Sequence, residues 1–152
     1  MATTENLHIG DGTDTKFSFT FPYLNQSDVE VYVYSGNSWG TKKTKDTHYT
    51  FDNATTIKFD SSHIPATATS DEQTNLGNNK NIKIKRNTST DKLAATFYPG
   101  SAIRSVDLND NYTQNLYVTQ EAENDAATNT KAVDALVATT NDGGTTWVLT
   151  GN

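Results

Sequence analysis

The sequence predicts a mainly β protein: a small antiparallel β-sandwich followed by a long C-terminal helix, ending in a β-turn and strand. Three observations predict it. Before Pro99, large apolar residues alternate with polar ones in several short runs, the period of a half-buried strand. Between Pro99-Gly100 and Gly143-Gly144 the chain carries neither glycine nor proline. Asp142-Gly143-Gly144 is hairpin chemistry, and the apolar Trp147-Val148-Leu149 follows it.

The elements follow in order. Asp11-Gly12 opens a turn. Phe17, Phe19 and Phe21 then alternate with Lys16, Ser18 and Thr20 until Pro22, which lacks a ladder donor. Val29, Val31 and Val33 interleave with Glu30, Tyr32 and Tyr34 in a second strand, closed by Ser35-Gly36-Asn37. Tyr49 and Phe51 pair in a hairpin with Thr56–Phe59 across Asp52-Asn53-Ala54. The polar stretch 61–81 reads as a long loop. Ile82 and Ile84 alternate with Lys83 and Lys85 in a fifth strand, and Leu93–Phe97 supplies a sixth. Large apolar side chains contribute roughly 1.5–3 kcal/mol each when fully buried. Those present support one small core and not two.

Asp107 suits a helix N-cap, and Asp110 sits near the positive end of the helix dipole. In a seven-residue frame, Tyr112, Leu116, Thr119, Ala126, Val133 and Val137 share a face with Asn109, Glu123 and Thr130. That seam is thinner than the Leu, Ile and Val of a strong zipper. A helix so polar is marginal alone, so the expectation is parallel self-association through this face. The expected organisation is a sandwich over 1–104, a helical stalk over 105–139 and the start of a further β segment over 140–152.

Composition narrows the function. The 152 residues suit one domain and an appendage. A hydrophobic content of 34% is low for a fully globular chain, so some burial is borrowed from another chain. A net charge of -6 argues against a nucleic-acid partner, which needs clustered cations; Lys42, Lys43 and Lys45, followed by Asp46, read as a solvated loop. The absence of cysteine excludes disulfides and thiolate metal sites. No basic and apolar leader opens the chain, and no stretch approaches the ~20 apolar residues of a membrane helix. The simplest expectation is synthesis in the cytoplasm, delivery by assembly, and no membrane partner.

No motif points to catalysis, a metal or a cofactor. Gly36-Asn37-Ser38-Trp39-Gly40 matches G-x-S-x-G, but the polar run after it offers no helix for a nucleophile elbow. Asp107-x-Asn109-x-Asn111 begins like a calcium loop, yet Tyr112 stands where glycine is required and Val118 where glutamate is. His8, His48 and His63 lack ligand spacing. The exposed aromatics Tyr32, Tyr34, Trp39 and Trp147 leave an alternative open, a carbohydrate-binding or depolymerising module. Thr140, Asp142, Gly144, Thr146 and Trp147 also resemble an Asp-box hairpin, which is a structural fold-back.

Arg86-x-x-Ser89-Thr90-x-Lys92-Leu93, then Phe97, Gly100-Ser101-x-Ile103-Arg104-x-x-Asp107-Leu108-Asn109 and Glu121-Ala122, form a spaced pattern. Upstream stand Asp11-Gly12, Phe17-x-Phe19-x-Phe21-Pro22-Tyr23-Leu24, Tyr49-x-Phe51 and Thr55-Thr56-Ile57. Together, over Ile9 to Asp125, they resemble the amino-terminal region of tail fibres from short-tailed, podovirus-type bacteriophages. The resemblance implies a non-catalytic attachment module in the virion tail. It would anchor a homotrimeric fibre to the tail's adaptor and nozzle proteins, leaving host contact to distal parts outside this chain. Within that reading, Arg86, Asp91, Arg104 and Asp107 either pair across the strand–helix junction and fix the angle of the stalk, or are surface charges worth at most about 1 kcal/mol. Three sandwiches cannot meet one tail surface equivalently, so the copies are expected to hinge near Tyr98–Ser105.

Overall fold

The computed structural model describes the backbone over 2–100 and 102–140, and side chains there as far as 133. In chain order the elements are β1 (Glu5–His8), β2 (Lys16–Ser18), a 3-10 turn at Gln26–Asp28, β3 (Val29–Ser35), β4 (Ser38–Trp39), β5 (Tyr49–Asn53), β6 (Thr56–Phe59), α1 (Ser70–Leu76), β7 (Ile82–Arg86) and α2 (Ser105–Thr140). Two antiparallel sheets result, one ordered β1-β7-β3-β4 and the other β2-β6-β5, followed by the long helix. This is the small sandwich and helix that the alternation predicts.

Side chains in a strand point alternately to opposite faces, so each apolar set lands on one side. Phe17 lies opposite Ile57, Val31 opposite Ile84 and Val33 opposite Ile82. Phe17, Phe19, Phe21, Val29, Val31, Tyr49, Ile57, Phe59, Ile82 and Ile84 close into one core. Phe19 and Phe21 lie past the end of β2, yet the alternation carries both inward. Phe59 meets Phe17 edge-on, with ring centroids 5.7 Å apart, a favoured aromatic arrangement.

The structure differs from expectation in four places. β1 is an added strand, antiparallel to β7; its Asn6 and His8 stand opposite Ile84 and Ile82, so polar residues occupy its inward positions and hide the pattern. β4 returns on β3 through Gly36 and Asn37, both at positive φ (61° and 64°), the conformation of a tight hairpin turn. The stretch read as a long loop contains α1. Thr69 accepts a bond from the Glu72 amide and the Glu72 carboxylate accepts one from the Thr69 amide, a capping box closed by Gly77 at φ 65°. Residues 93–97 are not a strand, for a reason that lies in α2 and is given below. The turn and strand expected over 140–152 lie outside the described residues apart from Thr140, the last residue of α2.

The buried Asn81 side chain ties three segments together. Its Oδ1 accepts the Gly10 amide at 2.7 Å, its Nδ2 donates to the Ala66 carbonyl at 2.7 Å, and its own carbonyl accepts the Tyr34 amide. Gly10 passes so close that an added Cβ would stand 2.8 Å from the Pro65 carbonyl oxygen.

His8 packs beside Phe17, and its Nε2 is buried with no hydrogen-bond partner. Burial holds its pKa below the usual 6.5; Lys80 pushes the same way and a backbone bond with Ser18 opposes them. The folded chain therefore keeps His8 neutral where the unfolded chain protonates it. Its contribution is intact above the unfolded value and is lost as pH falls through it. Urea midpoints measured at pH 7.5 and 5.5 should fall more for the native chain than for His8→Phe. Equal falls in both would rule out this role.

Candidate functional site

The inward positions of β7 are Ile82, Ile84 and Arg86, so the strand period drives an arginine toward the core beside Val29. Its side chain is 0% exposed. The guanidinium reaches α2. Nε donates to Glu121 Oε1 at 2.6 Å, Nη1 to the Pro22 carbonyl at 2.9 Å, and Nη2 to Gln120 Oε1 at 2.9 Å and the Tyr117 carbonyl at 3.3 Å. The guanidinium carbon lies 3.8 Å from the centre of the Tyr117 ring, cation–π distance. Glu121 is satisfied in turn by the Thr88 amide and hydroxyl, at 3.0 and 2.7 Å. A buried ion pair with so many auxiliary bonds fixes one geometry.

The same side of α2 carries a polar stripe at helical spacing: Asn111, Gln114, Tyr117, Glu121 and Asn124. Gln114 donates to the Ser89 and Lys92 carbonyls at 2.6 and 2.8 Å and accepts the Ala94 amide. Asn111 takes both the amide and the carbonyl of Ala95. Asn124 donates to the Ala2 carbonyl and Thr4 hydroxyl. These bonds explain why 93–97 forms no strand. Side chains of the helix take the amides that a ladder would use, and the segment becomes a strap across α2.

The four residues expected at the strand–helix junction separate. Arg86 crosses it, but to Glu121 and not to Asp91 or Asp107. Arg104 forms a bidentate pair with Asp107 at 2.9 and 2.8 Å, local to the first turn of α2 and not spanning to the sandwich. Asp91 lies exposed in a turn where its amide meets the Ser89 hydroxyl. Asp107 is not the N-cap, because α2 begins at Ser105. Sequence reasoning named Glu121 in the spaced pattern without giving it a role, and missed Gln114 and Asn124. The signal within reach was the arginine at an inward position of β7.

Of the residues expected to bundle, Tyr112, Leu116, Thr119, Ala126 and Val133 are exposed, on the side of α2 away from the docked stripe. The Val137 side chain lies outside the described residues. A pivot confined to Tyr98–Ser105 does not free the helix, because contacts from Asn111 to Asn124 hold it further along.

The outer face of the larger sheet is occupied from within. Tyr34 is buried, and the Lys83 ammonium lies 4.2 Å from the Trp39 ring centre. Burial lowers the Lys83 pKa. Tyr32 donates to Glu30 at 2.7 Å, and burial together with that carboxylate raises its pKa to about 12. Burial pushes Glu30 up as well, but bonds from Asn87, Tyr32 and Lys42 outweigh it and hold the carboxyl below its usual range. Trp147 lies outside the described residues. Ser38 of the G-x-S-x-G match sits in β4 opposite Ser35, a hairpin and not a nucleophile elbow. The calcium-like run 107–111 is helical. Among the described residues no three His, Asp or Glu side chains are placed to hold a metal, and no helix is long and apolar enough to cross a membrane.

A model of the family described as "Phage T7 tail fibre protein, N-terminal domain" matches residues 1–145. No curated protein matches the chain significantly.

Proposed function

The chain belongs to the family of the phage T7 tail fibre amino-terminal domain, and from that premise we propose that it anchors a homotrimeric fibre to the adaptor and nozzle proteins of the tail. The family is structural, and the role is that of a virion tail component. The sandwich is the gripping end. The α2 helix meets two sister helices through Tyr112, Leu116, Thr119, Ala126 and Val133 on its exposed side, with Val137 continuing the same seven-residue frame in sequence, and host contact falls to distal parts of the fibre.

The observation that carries this reading is the buried Arg86–Glu121 joint. It makes sandwich and helix one lever, so force on the stalk reaches the gripping end without a loose linker between them.

The test is binding of the purified chain to tails assembled without fibres. Saturable binding that blocks later attachment of whole fibres is expected, with no affinity for host glycans. Failure to bind tails, with glycan affinity abolished by Trp39→Ala, would replace the anchor with a carbohydrate-binding module.

A further inference from the structure

The outer face of the larger sheet gathers cations over aromatic rings. The inward positions of β3 and β7 are apolar apart from Arg86, so Tyr32, Lys83 and Lys85 point outward, with Tyr32 directly opposite Lys83. Trp39 of β4 stands opposite Tyr34 and meets its ring edge-on, with centroids 5.3 Å apart. The Lys83 ammonium lies 4.2 Å from the Trp39 centroid and 5.9 Å from that of Tyr32, and the Lys85 ammonium lies 5.8 Å from Tyr32. Tyr32, Trp39, Lys83 and Lys85 are therefore one continuous surface, and all four are partly exposed. α1 braces it. Glu72 accepts the Gly36 amide at 2.6 Å and Asn75 donates to Asn37 at 2.8 Å, which fixes the turn leading into Trp39.

Two ammonium groups converge here on one tyrosine. Burial pushes the Lys83 pKa down; Glu5 opposes that shift and Lys85 adds to it. Glu5 and Glu30 flank Lys85 across the ladder, yet among the described residues neither forms an ion pair with it. The Glu30 carboxylate is committed to Tyr32, Lys42 and Asn87. A partly desolvated cation without a counter-ion is stabilised by an anion that arrives from outside.

We propose that this face docks a carboxylate-rich segment of a tail protein. The inference rests on the anchoring role above and names the surface that grips. Charge complementarity selects the occupant: the chain as a whole carries a net charge of -6, yet this face presents two lysines without ion-pair partners. Lys83 is already stripped of part of its water, so the pair it forms with an incoming carboxylate loses less to desolvation than a fully hydrated lysine would. Trp39 and Tyr32 add rigid apolar area beside the contact, the composition of interface centres.

The test is binding of the whole chain to tails assembled without fibres, as native protein, as Lys83→Gln/Lys85→Gln and as Lys16→Gln/Lys58→Gln, whose lysines stand opposite each other on the smaller sheet. The first variant should bind at least ~10-fold more weakly, while the second, equal to it in charge, should bind as the native chain does. Circular dichroism is the control for folding. Should the first variant unfold, a zero-length carbodiimide decides the matter on the native chain, since it joins an amine to a carboxylate in direct contact. It should link Lys83 or Lys85 to an aspartate or glutamate of a tail protein; links confined to other lysines, or none, overturn the proposal. Equal weakening of both variants reduces the effect to net charge and overturns it too. A first variant that binds as the native chain does overturns this surface and leaves the anchor standing, whereas a native chain that fails to bind tails overturns both. An acidic polysaccharide bound by the native chain and lost in the first variant would assign the face to a glycan and overturn the protein occupant.

Discussion

Replacing Arg86 with alanine lowers the free energy of unfolding by about 3–5 kcal/mol, the usual loss when one partner of a buried ion pair is removed. That is a large share of the 5–15 kcal/mol typical of a domain. The change strands Glu121, the Pro22 carbonyl and Gln120 at once. Arg86→Lys recovers little, because one ammonium cannot reach Glu121, Gln120 and Pro22 from a single position. Arg86→Met with Glu121→Met costs less than Arg86→Ala, since no charge is left buried without a partner. Urea unfolding gives the magnitudes. Hydrogen exchange locates the effect: in Arg86→Ala, protection should fall first in residues 111–124 of α2, while β3 and β6 keep theirs. Uniform loss across the chain would show that Arg86 supports the core and not the joint.

Phe59→Ala is expected to cost about 3–5 kcal/mol through the cavity it leaves. Phe59 is 1% exposed and lies in β6, the central strand of the smaller sheet, against Phe17 and Tyr49. For a chain of this length the loss amounts to a fall in Tm of roughly 6–20 °C. Phe51, on the neighbouring strand and only partly buried, should lose clearly less when truncated. A calorimetric scan separates the two. Equal shifts would place the core elsewhere than between the sheets.

The parts of the fold legible in the sequence are those whose inward positions are apolar. Phe17, Phe19 and Phe21, the valines of β3, Ile57 with Phe59, and Ile82 with Ile84 declare their strands, because a period of two separates core from solvent. β1 was hidden by Asn6 and His8 at its inward positions. β4 is too short for any period, although Gly36-Asn37 marks its turn. α1 lacks an apolar stripe, and its legible sign is Thr69 three residues before Glu72. Leu93, Ala95 and Phe97 alternate like a strand, yet the Ala94 and Ala95 amides go to Gln114 and Asn111. No local pattern announces a bond to a helix some twenty residues on. The joint was half legible: the period points Arg86 inward and so demands a partner. Which carboxylate of α2 answers is decided in space, since Glu121 looks no different in sequence from Glu123 or Asp125.

The most direct measurement is a map of the intact tail with this chain placed in it. The account predicts three copies at the tail, sandwiches against tail proteins, Arg86 on Glu121 in each, and the α2 helices meeting through Tyr112, Leu116 and Val133. A single copy whose helix face stays in solvent, or copies found at the far end of the fibre, would contradict it.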